Sequence, residues 1–210
     1  MTQDYHEGTL GAVYQAKRPE ELAALYDGWA NTYEDEMARA GYRHPTICAA
    51  LIARHVPRGA SPVLDAGAGT GLLGEWLVIL GYRHVEALDL SEGMLAKAAV
   101  KGVYAALHHL ALGGPLPFAD DHFAAIVSAG VFTTGHVGPE GLDELIRICR
   151  PGGTIVLTVK DTIWDGGFAA RIADLEAAKV INRLEETEPY VSMPGDAATV
   201  PSRAVVLRIS

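Results

Sequence analysis

Val63-Leu64-Asp65-Ala66-Gly67-Ala68-Gly69-Thr70-Gly71 is a short apolar run that breaks into three alternating glycines and passes into Leu72-Leu73-Gly74-Glu75-Trp76-Leu77. A buried strand, a tight loop and a helix in that order form the first half of a βαβ unit. Glycine has no Cβ and tolerates positive φ, so such a loop lets backbone approach a ligand closely. The helix beginning near Leu72 aims its positive end and free N–H groups at whatever lies over the loop. Spacing narrows the ligand. A dinucleotide fingerprint GxGxxG requires glycine at position 72, which is Leu72, and a phosphate-binding P-loop requires Gly-Lys-Ser or Gly-Lys-Thr, which does not follow.

Working outward, β-branched apolar runs alternate with helical stretches. Strands are expected at Pro62 to Ala66, His84 to Asp89, Tyr104 to His108, Phe123 to Ala129 and Thr154 to Val159. This is the pattern of a parallel sheet buried on both faces. Ser91 is placed to cap a helix from Glu92 to Lys101, with Gly102 as its left-handed stop. Pro139 opens another, with Leu142, Leu145, Ile146 and Cys149 on one face, and Pro151-Gly152-Gly153 turns the chain into the next strand. A helix from Phe168 to Ala178 follows. Two extended segments, Val180 to Val191 and Arg203 to Ile209, joined through Met193-Pro194-Gly195-Asp196, fit an antiparallel hairpin that ends the sheet in a reversed strand. Upstream of Val63 there are only helical stretches, around Glu20 to Ala40 and Thr46 to His55, separated by Gly41-Tyr42-Arg43-His44-Pro45. The expected architecture is α/β: a Rossmann-like, seven-stranded, mostly parallel sheet with helices on both faces. We expect one domain over 1–210, with a helical cover (1–58), a cofactor-binding core (59–160) and a C-terminal helix and hairpin (161–210).

Composition bounds the function. A formal net charge of −9 opposes a surface made to neutralise phosphates, so nucleic acid is not an expected partner. The longest apolar run, Leu72 to Leu80, is too short to span a bilayer and contains Glu75, and the first residues are polar rather than signal-like. The expectation is a cytoplasmic protein without membrane contact. Cys48 and Cys149 stand alone in apolar surroundings, as buried thiols do.

Asp89 closes the second expected strand about 20 residues beyond the loop, where a carboxylate accepts hydrogen bonds from both hydroxyls of a ribose. The competing reading is that Asp89 caps the helix after Ser91 and the glycines only turn the chain. Taken together, the residues resemble a known family. Val63 through Gly71 resembles motif I of class I S-adenosylmethionine-dependent methyltransferases, and Ala87-Leu88-Asp89-Leu90-Ser91-Glu92-Gly93-Met94-Leu95 resembles the segment after it. Leu116-Pro117-Phe118 with Phe123-Ala124-Ala125-Ile126-Val127 is similar to the family's fourth-strand motif, and Arg150-Pro151-Gly152-Gly153 to its turn. Leu25-Tyr26-Asp27-Gly28-Trp29-Ala30-Asn31-Thr32-Tyr33 resembles the entry of its small-molecule members, where helices cover the cofactor. From Tyr26 through Pro151 the chain is similar to the methyltransferase-like proteins named after the Williams-Beuren syndrome chromosomal region.

The resemblance implies S-adenosylmethionine as cofactor, held by Gly67, Gly69, Gly71 and Asp89, with Asp65 orienting the loop and reaching the methionine amine. The family often has an acid after the third strand that holds adenine; here Leu110-Ala111-Leu112 stands instead. Adenine is then left to backbone groups or His109, between Leu90 and Met94. Leu110 and Ala129 complete the expected cofactor set. Tyr26, Trp29 and Tyr33 are candidates for cation–π contact with the sulfonium, or for packing of the cover. His136, after the fourth strand, is the candidate base for an acceptor proton, or a loop residue beside the pocket. Asp161 and Trp164 either line the acceptor pocket or are a solvated acid and a core indole. No metal is expected: His108-His109 with His6, His44 or His55 lacks a carboxylate or cysteine at ligand spacing. Methyl transfer to a small molecule is the leading reading. A non-catalytic cofactor-binding sensor is the alternative, and a nicotinamide oxidoreductase is disfavoured by Leu72.

Overall fold

The computed structural model describes residues 8–16 and 18–210. Its strands are β1 (Val63–Ala66), β2 (Val85–Asp89), β3 (Ala106–His109), β4 (Phe123–Phe132), β5 (Cys149–Lys160), β6 (Ile181–Glu186) and β7 (Ser202–Ile209), in one sheet of order β3-β2-β1-β4-β5-β7-β6. Strands β1 to β5 run parallel; β7 runs antiparallel to both β5 and β6. The helices are α1 (Thr9–Gln15), α2 (Pro19–Trp29), α3 (Tyr33–Ala40), α4 (His44–His55), α5 (Leu72–Ile79), α6 (Glu92–Lys101), α7 (Gly141–Ile148), the single turn α8 (Asp161–Ile163) and α9 (Ala169–Ala177), with a π-helical turn, Trp164–Phe168, between the last two.

The chain moves outward from β1 through β2 to β3, then returns to lay β4 on the other side of β1. Strand order therefore reverses between β1 and β4, and ligands of open α/β sheets bind above the carboxyl ends of the strands at such a point. That point is flanked by Gly67, just past β1, and by Ala129 and Gly130 in β4.

Both sheet faces are covered, so the central strands contribute apolar residues alternately to two cores. Leu64, Ile126, Leu157 and Leu207 pack with Leu142, Leu145, Phe168 and Ile172 from α7, α9 and the turn before it. Val63, Val127, Val156 and Val206 pack with Leu51, Ile52, Leu73 and Leu77 from α4 and α5. Cys149 lies in the first core and Cys48 in the second, both as free thiols that burial pushes up, Cys149 to about 12. A third cluster joins Leu10, Val13, Leu22, Trp29 and Met37 of the N-terminal helices to Met94 and Met193.

Local signals act as expected at α6, where Ser91 Oγ accepts the Met94 N–H at 3.0 Å and Gly102 ends the helix at φ 64°. Elsewhere the structure departs from expectation. Glu20 to Ala40 is two helices, because α2 stops at Trp29 and the Thr32 N–H turns back to the Trp29 carbonyl. Helix α1 was not foreseen. Cys149 belongs to β5, not α7, and Pro151-Gly152-Gly153 forms a bulge inside that strand, where pairing jumps from Phe123↔Cys149 to Ala125↔Thr154. The extended segment after Val180 keeps strand pairing only to Glu186, with Tyr190 returning as a single bridge to Ser202. Among the described residues no helix is long and apolar enough to cross a membrane.

Candidate functional site

The loop after β1 is tied down from below. The Gly67 and Ala68 N–H groups donate to the Leu88 carbonyl at 2.7 and 3.0 Å, and Gly67 adopts φ 83°. A Cβ at Gly67 would stand 2.1 Å from Val131 Cγ2, so backbone freedom and close approach both require glycine there. Asp89, at the end of β2, fixes the other side of the loop. Its Oδ2 accepts the Gly69 N–H at 2.8 Å and its Oδ1 the Ser91 N–H at 2.9 Å. A carboxylate has about four acceptor sites, so two remain for a ligand. Burial raises the Asp89 carboxyl, against the backbone hydrogen bonds that lower it.

Above the loop lies a cleft whose walls come from α2, α3, β2, α6 and β4 and the loops around them. Gly67, Gly69, Asp89, Leu90 and Met94 form its floor, Leu110, Ala111 and Leu112 one side, Ala129, Gly130, Val131, His136 and Val137 the other, and Leu22, Tyr26, Tyr33 and Tyr42 its roof. Helix α2 is anchored as that roof by Asp27, whose Oδ1 accepts the Ser91 hydroxyl at 2.6 Å and the Gly93 N–H at 2.8 Å. Gly93 is the residue that permits this: a Cβ there would stand 2.9 Å from Asp27 Cα.

Tyr26 and His136 meet at the edge of the cleft, Oη to Nε2, at 2.8 Å. The other ring nitrogen, Nδ1, lies 3.1 Å from the Thr134 carbonyl, which can only accept. The proton is thereby assigned to Nδ1, leaving Nε2 to accept from the Tyr26 hydroxyl. Burial lowers the His136 pKa and raises that of Tyr26, so both are neutral near pH 7.

Asp65 is 1% exposed and lies behind the loop. Its Oδ2 accepts the Tyr104 hydroxyl at 2.7 Å, while Oδ1 is buried with no partner. Burial pushes its carboxyl up to about 7. Asp65 lines a small cavity together with Tyr33, Tyr42, Gly67 and Gly69, residues shared with the main cleft. An orphaned buried carboxylate oxygen beside a cavity fits an ammonium donor, the spare acceptors of Asp89 fit a diol, and Leu90, Met94 and Leu110 fit a flat apolar ring. Those are the three parts of S-adenosylmethionine.

Several expected residues stand off the wall of the main cleft. Trp29 is 2% exposed and turned into the cover, its indole N–H donating to Glu36 at 2.9 Å and its ring edge-on to Tyr33 at 5.0 Å. Gly71 serves as the cap of α5 against Tyr104. His109 is likewise not among the residues that line the cleft. β3 is an edge strand in which alternate residues face outward, and His109 shares the exposed face with Leu107, its Nε2 bonded to the Leu90 carbonyl at 2.9 Å. Asp161 and Trp164 belong to another cluster, where Asp161 pairs with Arg203 at 3.0 Å and the Trp164 ring lies under the Arg203 guanidinium at 4.9 Å. Reading the sequence also missed Leu22, Tyr42, Gly130, Val131 and Val137; of these, Gly130 and Val131 were marked by their place at the carboxyl end of β4.

The histidines weighed as metal ligands are dispersed. His108 pairs with Glu86, His55 with Glu185, and His44 with the Tyr190 hydroxyl. His6 lies outside the described residues. Among the described residues no three His, Cys, Asp or Glu side chains are placed to hold a metal ion.

With the fold and cleft in view, comparison with known proteins places the chain. Residues 63–153 match the family model described as a methyltransferase domain. The chain is 32% identical over 139 residues to methyltransferase-like protein 27 of Homo sapiens, covering 65% of this chain and 56% of that protein. It is 34% identical over 206 residues to a demethylmenaquinone methyltransferase of Mycobacterium sp. (strain KMS), covering 91% of this chain and 84% of that one. The chain thus spans little more than half of the human relative and most of the mycobacterial one. Among solved structures, a TehB-like SAM-dependent methyltransferase from Corynebacterium glutamicum superposes with TM-score 0.63 at 23% identity, over 89% of this chain and 99% of that chain. The chain belongs to the class I S-adenosylmethionine-dependent methyltransferases.

Proposed function

We propose that this chain transfers the methyl group of S-adenosylmethionine to a small-molecule acceptor. It acts as one domain in which residues 1–58 cover a core of residues 59–160 and residues 161–210 complete it. The observation that carries this reading is the Tyr26–His136 pair on the wall of the same cleft that Gly67, Gly69 and Asp89 line. A neutral ring nitrogen that accepts the Tyr26 hydroxyl stands beside a cofactor loop.

The sulfonium of the cofactor supplies an already activated methyl group, so the protein's task is positioning and exclusion of water. Asp89 holds the ribose hydroxyls through its spare acceptor sites. Asp65 Oδ1 takes the methionine amine, and Leu90, Met94 and Leu110 enclose the purine. Tyr26 and Tyr33 present ring faces to the sulfonium. Nε2 of His136 is the base for an acceptor hydroxyl, thiol or ammonium that reaches the Tyr26 hydroxyl. Helix α2, fastened at Asp27, roofs the cleft and favours an acceptor small enough to be enclosed. The net charge of −9 argues in the same direction, against a phosphate backbone.

Thermal unfolding with S-adenosylmethionine, S-adenosylhomocysteine or NAD tests the cofactor, since a ligand that binds only the folded state raises the melting temperature. The two sulfur nucleosides are expected to stabilise the protein and NAD is not; stabilisation by NAD alone overturns the reading. Transfer of labelled methyl groups into a metabolite extract then separates an enzyme from a cofactor-binding sensor, which would bind the cofactor and label nothing.

A further inference from the structure

Tyr104 stands between α6 and β3, and its ring packs against Ala68, Ala87 and Leu95 beside the glycine loop. Its path to Asp65 crosses the first turn of α5. Gly71 and Gly74, one turn apart, open a notch there: a Cβ at Gly74 would stand 2.3 Å from the Tyr104 oxygen, and one at Gly71 would stand 3.1 Å from its ring. Gly74 is the third residue of α5, where a backbone N–H has no partner within the helix, and that N–H acts on the Tyr104 oxygen. The hydroxyl then donates to Asp65 Oδ2 at 2.7 Å. None of the sequence motifs marked Tyr104.

This hydrogen bond divides the two oxygens of Asp65. Oδ2 is taken by Tyr104, while Oδ1 is buried without a partner beside the small cavity that shares Tyr33, Tyr42, Gly67 and Gly69 with the cofactor cleft. That cavity, about 30 Å³, admits an ammonium, since a water-sized group needs about 10–15 Å³. The same bond governs the charge. The titratable groups around Asp65 are Asp89 at the end of β2, Cys48 in α4, Tyr33 in α3, Tyr42 and Tyr104, and among the described residues no cation pairs with it. Burial pushes the Asp65 carboxyl up to about 7 and Asp89 adds to the rise, while the Tyr104 hydroxyl opposes it. Without that hydroxyl the acid is held neutral at pH 7, and a neutral acid is a poor partner for an ammonium.

We propose that Tyr104 is the positioning residue for Asp65: seated in the notch of α5, its hydroxyl holds Oδ2 and so presents Oδ1 to the methionine amine of the cofactor. This rests on the assignment of that amine to Asp65 under the methyl-transfer reading. Tyr104 lines neither the cofactor cleft nor the small cavity, so it acts through Asp65 alone and favours ligands that carry the amine.

The test titrates the full chain calorimetrically with S-adenosylhomocysteine, and with the analogue that lacks only its amino group, at pH 6, 7 and 8. The ratio of the two affinities isolates the amine, because changes at the ribose or base cancel in it. In the parent the ratio should favour S-adenosylhomocysteine and fall on acidification, as Asp65 takes up its proton. Tyr104→Phe should lower the ratio about tenfold at pH 7, the lower end for a hydrogen bond to a charged group, without weakening the analogue. The loss should be smaller at pH 8, where Asp65 ionises again. Gly74→Ala, whose methyl displaces the hydroxyl, should repeat the pattern, so a Tyr104→Phe chain that does not fold leaves the proposal exposed to refutation. Equal weakening of both ligands would make Tyr104 a packing residue only, and an unchanged ratio would detach it from Asp65; either result overturns the proposal. A parent that binds both ligands equally removes the amine from Asp65 and overturns the proposal while methyl transfer stands. A parent that binds neither overturns the methyl-transfer reading as well.

Discussion

The two ends of the binding region are made differently. At the cofactor end, Gly67, Gly69 and Asp89 come from two neighbouring strands, and their geometry is held by backbone hydrogen bonds within that unit. Where we propose that the acceptor is served, Tyr26 and His136 come from α2 and the loop after β4, 110 residues apart, and they meet only through tertiary packing. A site written into one βαβ unit is visible as a motif. A site assembled from distant elements has no sequence period and is free to vary while the fold and cofactor stay the same.

The most severe way to break this division is at His136. If it is the acceptor's base, His136→Gln should lower turnover by about 10²- to 10⁴-fold while S-adenosylhomocysteine binding is unchanged. Tyr26→Phe should have a smaller effect, because it removes the hydroxyl that holds Nε2 but leaves the base. Single-turnover rates beside a calorimetric titration make the separation, and turnover within threefold of the parent would reduce His136 to a wall residue.

At the cofactor end Asp89→Ala is expected to cost about 100-fold or more in S-adenosylhomocysteine affinity. Two hydrogen bonds to a charged acceptor are lost, each contributing about 1.5–3 kcal/mol, and the Gly69 and Ser91 N–H groups lose their partner as well. An unchanged affinity would return Asp89 to a purely structural role as the tie between loop and α6.

These contrasts also explain what was legible beforehand. The central parallel strands β1, β2, β4 and β5 announce themselves because both faces are buried, so Val63-Leu64 and Phe123 through Val127 read as continuous apolar runs. Asp89 stood out by its distance from the glycines. Helix α1 was not legible because it buries only Leu10, Gly11 and Val13, too few positions to set a period. The break between α2 and α3 falls at Ala30, Asn31 and Thr32, with neither proline nor glycine to mark it. Lys160 follows an apolar strand as any solvated lysine would, and its burial arises from α1 and the loop at Ser192 and Met193, which close over it from opposite ends of the chain.

Lys160 also carries a stability signature independent of any ligand. Its folded-state pKa, about 8, lies below its ordinary value of 10.5. Between those values the unfolded chain binds the extra proton, so this group's contribution to stability rises as the pH climbs from about 8 to 10.5. At pH 7 the buried charge costs up to about 3 kcal/mol. Lys160→Met should therefore melt higher than the parent at pH 7, and the gap should close toward pH 10. Taking the difference between the two proteins cancels the buried tyrosines and thiols, which titrate in the same range with the opposite sign. A gap that stays constant with pH would show that the amine is already neutral or already paired.

The smallest effect is expected at the exposed rim of the cofactor end, at His109. Adenine was left to backbone groups or His109, and the exposed His109 ring bonds the Leu90 carbonyl from an edge strand whose alternate residues face solvent. Removing an exposed side chain away from a core or cap changes free energy by roughly 0.5 kcal/mol or less, equivalent to about a twofold change in affinity. His109→Ala should leave S-adenosylhomocysteine binding within that range, whereas Met94→Ala, which hollows a floor residue 1% exposed, should not. If His109→Ala were the more damaging of the two, the base would be held from the β3 edge and not by the apolar floor. The departure at Leu110-Ala111-Leu112 would then be compensated by a side chain after all.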